Sequence, residues 1–454
     1  MNSAPLTKGL RLLKEGGRLG YISSNTFFKT GSGKPLRQYL GREATLESVV
    51  DFGDLQVFEG VTTYPAILTM RRGTAPKGHE MQFWKVDALT GENFLARWEN
   101  AQGPYPQQAL GAGSWELENP ALRALRDKIR KGRKTLKEVY GSPMRGVGTG
   151  LNAAFTIDSE TKEKICAADP KSIELLRPFL EGKDLKRWRA EPRGLWIIYI
   201  PKNKIDIKDY PAIEGHLLPF KERLEKRATK QEWFELQQPQ EAYVPKFLSP
   251  KVIYNRFTDK PNFAFVEEAI FTNDAPYFVS TKDASLAALL NSKVYWLLLV
   301  TGATALRGGF VQLLGRYIEP MPIPKITNPQ KSALVAKVSK IQMFAQNTLK
   351  LQTALTRRIP DLCPPDRDPK LTNKLKEWWT LPDFAAFRAE IKKTYKTDIP
   401  LSERSDWEDW ISRDRAEIAR LTAEITQTEA QIDSIVYDLF DLTPDEIALL
   451  EASI

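Results

Sequence analysis

The spacing of apolar residues predicts an α/β segment at the start of the chain. Apolar positions three or four residues apart indicate a helix, and short apolar runs indicate strands. Strands are predicted over residues 18–25, 46–52 and 62–70, and helices over residues 6–15 and 33–40. A strand, a helix, a second strand and a returning strand are typical of one edge of a mostly parallel sheet.

This first segment is too short to form a whole α/β domain. Residues 1–75 supply only closing strands, so we expect the rest of the domain to precede Met1. Residues 76–130 are richer in polar residues, glycine and proline. They are expected to form a linker with one connecting strand at 81–86 and a short basic helix at 122–129.

The middle of the chain has a different pattern. Residues 131–325 alternate short apolar runs with turn residues, which predicts an α+β domain rich in short strands. An apolar helix is predicted over residues 286–300, and the prolines of segment 320–324 favour an extended end to the domain.

The last part of the chain, residues 326–454, is predicted to be helical. A heptad seam is formed by Ile411, Ile418, Ile425, Ile432 and Leu439. A weaker seam runs from Leu334 to Leu355. Such repeats form either a helical pair within one chain or a zipper between two chains. We favour the intramolecular hairpin, and the pattern leaves the oligomeric state open.

Composition excludes several classes of protein. Of the 454 residues, 42% are hydrophobic and 27% are charged, as in soluble globular proteins. Neither the histidines (His79, His216) nor the cysteines (Cys166, Cys363) have the spacing of a metal site or a disulfide framework. No apolar run reaches the roughly 18 residues of a membrane helix. We therefore expect no metal, no membrane and a cytoplasmic setting.

The net charge of +9 is unevenly distributed. Residues 121–330 carry +11, whereas residues 401–454 carry −10. Three clusters in the basic region mix aromatic and basic side chains: 183–189, 254–260 and 306–316. Basic surfaces attract phosphate backbones, and Arg, Asn and Gln read base edges. Each cluster alone is equally compatible with a solvated surface, but together they favour DNA binding.

The same stretches resemble a known family. Residues 16–40 (GGRLGYISSNTFFKTGSGKPLRQYL) and 49–72 (VVDFGDLQVFEGVTTYPAILTMRR) are similar to the closing strands of an adenine-specific DNA methyltransferase. Residues 144–158, 175–188, 250–265 and 286–324 are similar to a TaqI-like target-recognition domain. The chain thus resembles the C-terminal portion of a type IIG restriction-modification enzyme. The implied fold is an α/β remnant of a class I methyltransferase sheet, an α+β target-recognition domain and a C-terminal helical hairpin.

The resemblance implies methylation of a flipped adenine from S-adenosylmethionine. The family uses a glycine-rich cofactor loop and an NPPY-type tetrapeptide, and this sequence contains neither. We therefore expect no cofactor to bind this chain alone, no catalytic residue in it, and no methyl transfer without an N-terminal methyltransferase polypeptide, with or without a nuclease. The resemblance makes Phe58 the aromatic that stacks on the flipped base. The alternative for Phe58 is a core aromatic, and Tyr64 is expected in the core.

The resemblance also implies a set of contacts to duplex DNA in the recognition domain. The expected DNA-binding residues are Arg145, Thr149, Asn152, Lys183, Lys186, Arg187, Arg256, Lys260, Arg307, Phe310, Gln312 and Arg316. Gly150 lies in the same entry loop. The leading hypothesis is the recognition part of a split or truncated adenine methyltransferase from a bacterial or archaeal phage-defence system. The alternative is a non-enzymatic subunit that docks through its acidic end, residues 401–454.

Overall fold

The protein forms two compact units in a computed structural model. The first comprises Met1–Lys131 and the second Gly132–Ile454. The structure describes residues 4–53, 55–60, 63–86, 88–89, 94–101, 103–115, 117, 120–306 and 309–454.

The first unit contains one described sheet and flanking helices. Its strands are β1 (Arg18–Ser24), β2 (Ala44–Asp51), β3 (Pro65–Arg72), β4 (Glu80–Lys85) and β5 (Gly103–Pro106). Its helices are α1 (Ala4–Leu12), α2 (Thr26–Lys29), α3 (Lys34–Glu43), α4 (Phe94–Ala101) and α5 (Pro120–Arg130). The strands predicted from the sequence correspond to β1, β2 and β3.

The strand order β1-β3-β2-β4-β5 corrects the expectation of a mostly parallel sheet. Strand β3 lies between β1 and β2 and is antiparallel to both, so β1 and β2 run parallel without touching. The β2–β4 ladder is the parallel one among the described pairs of this sheet. The described part of the connection from β2 to β3 (residues 52–64) contains no helix, whereas a crossover between parallel strands usually contains one. Strands β4 and β5 lie in the segment predicted as a linker, so parts of that segment belong to the sheet.

An aromatic cluster closes one side of this first unit. Phe27, Phe28 and Trp115 are buried, with ring centroids 4.7–5.8 Å apart. The buried guanidinium of Arg37 donates to the Phe27 carbonyl (2.5 Å) and the Thr30 carbonyl (2.9 Å). These bonds tie α3 to the end of α2 and to the turn that follows it.

The second unit begins with the α+β part that the sequence predicts. Its strands are β6 (Lys134–Thr135), β7 (Met144–Arg145), β8 (Thr156–Ile157), β9 (Leu176–Leu180), β10 (Leu185–Lys186), β11 (Arg189–Ala190), β12 (Leu195–Ile198), β13 (Lys251–Asn255), β14 (Phe257–Thr258), β15 (Phe263–Val266), β16 (Phe271–Thr272), β17 (Pro276–Ser280), β18 (Thr304–Ala305), β19 (Val311–Gln312) and β20 (Pro322–Ile323). Its helices are α6 (Leu136–Tyr140), α7 (Asn152–Phe155), α8 (Ser159–Ala168), α9 (Pro211–Leu217), α10 (Lys221–Glu225), α11 (Val244–Phe247), α12 (Ser285–Asn291), α13 (Lys293–Gly302) and α14 (Gly315–Ile318).

Two four-stranded sheets share the core of this part. Their orders are β16-β9-β12-β8 and β15-β13-β17-β7. Phe155, Phe179, Phe247 and Phe271 are fully buried in the core they share. A third sheet, β14-β19-β18, has short strands and carries exposed aromatic residues.

The chain ends in helices α15 (Asn328–Thr356), α16 (Asn373–Lys376), α17 (Phe384–Tyr395), α18 (Arg404–Leu439) and α19 (Pro444–Glu451). The two long helices, α15 and α18, pack along each other within the chain, as the hairpin prediction requires. The seam residues Ile411, Ile418 and Ile432 are buried. Among the described helices, none is by itself long and apolar enough to cross a membrane, although α12 and α13, bent by 58°, reach that length and composition together.

Candidate nucleic-acid interface

The third sheet of the second unit presents one face outward. Successive residues of a strand point to opposite faces. Thr258 and Val311 are paired in register and buried, so Phe257 and Gln312, the next pair, point the other way. Phe257 is 48% exposed. Thr304 pairs with Gln312 from the opposite strand and is exposed. We call Phe257, Thr304 and Gln312, with the flanking Arg256 and Phe310, the recognition face.

Arg256 and Gln312 form a polar pair on the recognition face. The guanidinium carbon of Arg256 lies 5.0 Å from the centroid of the Phe257 ring. With the Gln312 amide oxygen oriented toward it, Arg256 donates from Nη2 (3.0 Å) and Nε (3.3 Å). This orientation follows from the hydrogen-bonding network. Arg256 and Gln312 have the most hydrogen-bonding groups among the side chains of the recognition face, and they therefore lie side by side.

A second polar group borders the same face. The hydroxyls of Thr304 and Tyr317 are 2.5 Å apart, and Arg316 Nη2 donates to Tyr317 Oη at 2.9 Å. Arg316 is exposed, and its guanidinium lies over the Tyr317 ring. Phe310 is 41% exposed, and its carbonyl accepts from Leu306 N at 2.6 Å to close the connecting turn. Arg307, predicted to contact DNA, lies outside the described residues.

The entry loop, residues 145–152, is held by close backbone packing. A Cβ atom on Gly146 would lie 2.0 Å from the Asn273 carbonyl oxygen, so glycine is required there. Gly150 has φ +76°, a conformation that favours glycine. Arg227 donates from Nη1 to the Thr149 carbonyl at 3.0 Å and so holds the entry loop in place. Sequence reasoning missed Arg227 because one more basic residue in the charged stretch after α10 carries no local signal.

The predicted DNA contacts of this loop divide into buried and exposed residues. Thr149 is 2% exposed and donates to Asn152 Oδ1 at 2.5 Å, so in this structure its hydroxyl is used within the loop, and its contact with DNA stays a prediction. Asn152 is exposed. Arg145 is partly exposed but forms an ion pair with Asp274 at 2.6 Å. Of these three residues, Asn152 is thus the one whose polar side chain is most available to a ligand.

The basic residues of the cluster at 183–189 also differ in their surroundings. Arg187 forms an ion pair with Glu429 of α18 at 2.9 Å and donates to the Asn291 carbonyl at 3.2 Å. These contacts give Arg187 a structural role within the chain, and its contact with DNA stays a prediction. Lys183 is exposed and paired with Glu181 at 2.9 Å. Lys186 is exposed and lines the same cleft as Lys260.

In the first unit, Phe58 lies in the connection between β2 and β3. Because β1 and β2 are parallel, their carboxyl ends share one edge of the sheet, and this connection starts there. Phe58 is 43% exposed and so lies outside the core of this unit in the structure. Asn25, directly after β1, donates to Asp51 Oδ1 at 2.7 Å and ties the two strand ends together. Tyr64 is half-buried.

The glycine turn Gly31–Gly33 in the first unit does not have the form of a nucleotide-binding loop. The glycine turn that follows α2 is occupied by the protein itself, since a Cβ atom on Gly33 would lie 2.3 Å from the Phe27 carbonyl oxygen. Arg37 occupies the same carbonyl group. A nucleotide-binding glycine turn must instead leave its backbone N–H groups open to the ligand. Within the described ranges, no group of three or more His, Cys, Asp or Glu side chains could hold a metal ion.

Three family profiles match successive parts of the chain. Residues 6–58 match the Eco57I restriction-modification methylase, and residues 177–323 match the TaqI-like C-terminal specificity domain. The chain resembles a type IIG restriction-modification enzyme. The resemblance stated from the sequence is thereby confirmed. Residues 327–436 match a domain of unknown function (DUF8810).

Individual relatives agree with these profiles. The type II methyltransferase M.XhoI of Xanthomonas vasicola is 26% identical over 71% of this chain and 61% of its own length. The restriction enzyme and methyltransferase RM.Eco57I of Escherichia coli is 30% identical over 35% of this chain and 16% of its own length. M.XhoI thus matches most of this chain, whereas this chain spans about three fifths of the length of M.XhoI.

The fold has a counterpart among solved structures. The type IIL restriction-modification enzyme MmeI, solved in complex with DNA, superposes with a TM-score of 0.50 at 13% identity. The match covers 96% of this chain and 49% of MmeI. At this identity the similarity concerns the fold. The mixed α/β architecture with small sheets and a helical C-terminal end is similar to that of MmeI.

Proposed function

We propose that this chain is the DNA-recognition part of an adenine-specific restriction-modification methyltransferase. The observation that carries the proposal is the recognition face, because it exposes two aromatic rings and an Arg–Gln pair within the residues that match a specificity domain. Exposed aromatic residues on a soluble surface are typical of binding sites. Duplex DNA supplies the base edges and phosphates that these residue types contact.

Each group on the recognition face has a role in this proposal. Arg and Gln make bidentate hydrogen bonds to guanine and adenine in the major groove, so the Arg256–Gln312 pair reads base edges. Phe257 and Phe310 contact thymine methyl groups or the faces of unstacked bases. Arg316 is exposed beside them and binds a phosphate.

The methylation step is assigned only in part to this chain. Phe58 is proposed to stack on an extruded adenine. Its exposure at the edge where β1 and β2 end supports this role, because ligands bind at such edges of α/β sheets. The cofactor loop and the NPPY-type element are proposed to come from a methyltransferase polypeptide outside these residues. The poor fit of the Gly33 turn to a nucleotide supports this division.

The alternative function, a non-enzymatic subunit that docks on a partner through its acidic residues 401–454, has less support. Glu424 of α18 pairs with Lys340 at 3.1 Å, and Asp433 accepts from the backbone N–H of Lys293 at 2.9 Å. Glu429 is held by Arg187. Much of the negative charge of α18 is therefore used within the chain.

The proposal is tested by selecting preferred sequences from a randomised duplex library at low salt. Enrichment of one motif is expected, and Gln312→Ala should relax selectivity at one position by about 1–3 kcal/mol. The matched controls are Gln346→Ala and Arg223→Ala, which remove exposed side chains away from the recognition face. Absence of duplex binding would overturn the proposal, as would an unchanged motif in the Gln312 variant.

The division of labour is tested by methyl transfer. Labelled S-adenosylmethionine and the selected duplex are incubated with this chain, with and without a polypeptide carrying the cofactor loop and NPPY-type element. Transfer is expected only in the mixture, and Phe58→Ala should lower it while duplex binding is retained. Methyl transfer by this chain alone would refute the proposed division.

A further inference from the structure

A cleft of about 1030 Å³ opens in the second unit, between the α+β part and the C-terminal helices. One wall is formed by strands β10 and β11 and the turn after β14, including Lys186 and Lys260. The other wall is formed by the end of α15 and by α16 with the turn after it, including Arg357, Lys376 and Trp379. We call this the basic cleft. The predicted DNA contacts Lys186 and Lys260 thus face residues that no sequence motif singled out.

The basic cleft holds cations that the protein does not neutralise. Lys186, Lys260, Arg357 and Lys376 are exposed, and within the described part of the chain none of them forms an ion pair. By contrast, the two other cations of the cleft, Arg187 and Arg189, are paired with Glu429 and Glu191. Glu377 is the acidic residue left on the cleft wall. Four like charges around one concavity repel each other unless an anion lies between them.

The basic cleft is close to the recognition face along the chain. Lys260 follows Phe257 by three residues, so their Cα atoms are at most about 11 Å apart. The turn that joins them is fixed, because Thr258 Oγ1 donates to the Lys260 carbonyl at 2.5 Å. Phosphates along one DNA strand are spaced by about 3.4 Å of helix axis. A phosphate bound at Lys260 therefore belongs to a nucleotide within a few steps of a base at Phe257.

We propose that the basic cleft binds the phosphodiester backbone of duplex DNA beside the recognised bases. This inference rests on the proposed function and extends it to the C-terminal helices, which match a domain of unknown function. The helical region then acts as one wall of the DNA site. Among its uncharged polar residues, Gln352 offers amide N–H groups to phosphate oxygens, whereas the hydroxyls of Thr353 and Thr356 donate to the carbonyls of Leu349 and Gln352 within α15.

The test uses the full chain with four substitutions: Lys186→Gln, Lys260→Gln, Arg357→Gln and Lys376→Gln. Binding to a random-sequence 24-base-pair duplex is measured by fluorescence anisotropy over a series of salt concentrations. Each lost phosphate contact lowers the slope of log K against log salt by about 0.9. We expect a slope smaller by about 2–4 and an affinity lower by at least tenfold at low salt. The motif preferred by the unmodified chain should remain preferred.

A charge-matched control carries Lys208→Gln, Arg223→Gln, Lys246→Gln and Lys393→Gln, which are exposed and do not line the cleft. An equal loss in both variants would overturn the inference, because the effect would then come from net charge. An unchanged slope in the cleft variant would also overturn it, while Gln312→Ala could still relax selectivity and leave the proposed function intact. If the unmodified chain fails to bind any duplex, the proposed function itself fails. Binding of ATP that is lost in the cleft variant, with duplex affinity unchanged, would assign the cleft to small anions instead.

Discussion

Trp188 Nε1 donates a hydrogen bond of 2.5 Å to Glu429 Oε1, across 241 positions of the sequence. The carbonyl of the same tryptophan accepts from Gln342 Nε2 of α15 at 3.0 Å. Trp188 is buried with φ +74°, a strained conformation for a side chain of this size. Trp188 therefore joins the α+β part to both long helices. It thereby also holds the two walls of the basic cleft in position relative to each other.

The first prediction concerns this junction. Removing either partner leaves a buried donor or a half-buried carboxylate without its hydrogen bond, and a double-mutant cycle isolates the pair. We expect Trp188→Phe and Glu429→Ala to couple by about 1–2 kcal/mol in urea unfolding of the chain. Glu417→Ala is the control, because Glu417 pairs with Arg420 on the exposed surface of the same helix and should cost less than about 0.5 kcal/mol. Additive effects of the Trp188 and Glu429 variants would contradict a direct bond.

The second prediction concerns the heptad seam of α18. Ile432 is buried, whereas Ile425, one heptad earlier, is only half-buried. Ile432→Ala should therefore lower the free energy of unfolding by about 2–4 kcal/mol, and Ile425→Ala by clearly less. Sedimentation measurements on both variants should give the same mass as the unmodified chain, because the seam packs against α15 of its own chain. Dissociation of an oligomer in the Ile432 variant would instead indicate a zipper between chains.

The helices and strand positions could be predicted because their periodicity is local. The heptad of α18 and the apolar runs of β1, β2 and β3 lie close to where the patterns predict them. The insertion of β3 between β1 and β2 could not be predicted, since strand neighbours depend on contacts between distant segments.

The candidate site was predicted less completely than the fold. The types of residue at Arg256 and Gln312 indicate nucleic-acid contacts, but their pairing depends on the register of β14 and β19. Thr149 has the right chemistry and lies in the right loop, yet it is buried. Arg357 and Lys376 reach the basic cleft only through the packing of the C-terminal helices. Sequence patterns report residue type and periodicity, whereas burial and long-range neighbours are set by tertiary packing.

The third prediction concerns the close packing of the entry loop. A methyl group on Gly146 would overlap the carbonyl oxygens of Asn273 and Thr272, at 2.0 and 2.4 Å from its Cβ atom. The backbone bond from Val147 N to the Thr272 carbonyl (2.8 Å) keeps these strands from separating. Gly146→Ala should therefore destabilise the chain by about 2–3 kcal/mol in urea unfolding. Gly215→Ala is the control, because a Cβ atom there meets no neighbour within 4 Å and favours its helix by up to about 1 kcal/mol. Equal stabilities of the two variants would contradict this account.

The fourth prediction concerns the pH dependence set by Lys251. This residue is fully buried at the start of β13, and its Nζ donates to the carbonyls of Ser249 (2.8 Å) and Glu268 (2.9 Å). Burial lowers the pKa of Lys251 from 10.5 to about 8. Between these two values the unfolded chain binds a proton that the folded chain does not, so stability rises with pH across this window. Below pH 8 both states are protonated, and the folded chain bears the cost of a buried charge.

Comparison with a variant that lacks this amine isolates its titration from the other groups that ionise in the same range. The unfolding free energy of the unmodified chain minus that of Lys251→Met should increase between pH 8 and pH 10.5, by up to about 3 kcal/mol. The corresponding difference for Lys393→Met should stay flat, because Lys393 is exposed. Urea unfolding at several pH values gives both differences. Parallel stability curves for the unmodified chain and Lys251→Met would contradict this prediction, because the amine would then keep its ordinary affinity for protons in the folded state. The two carbonyls and the surrounding core would in that case stabilise the charged amine as well as water does.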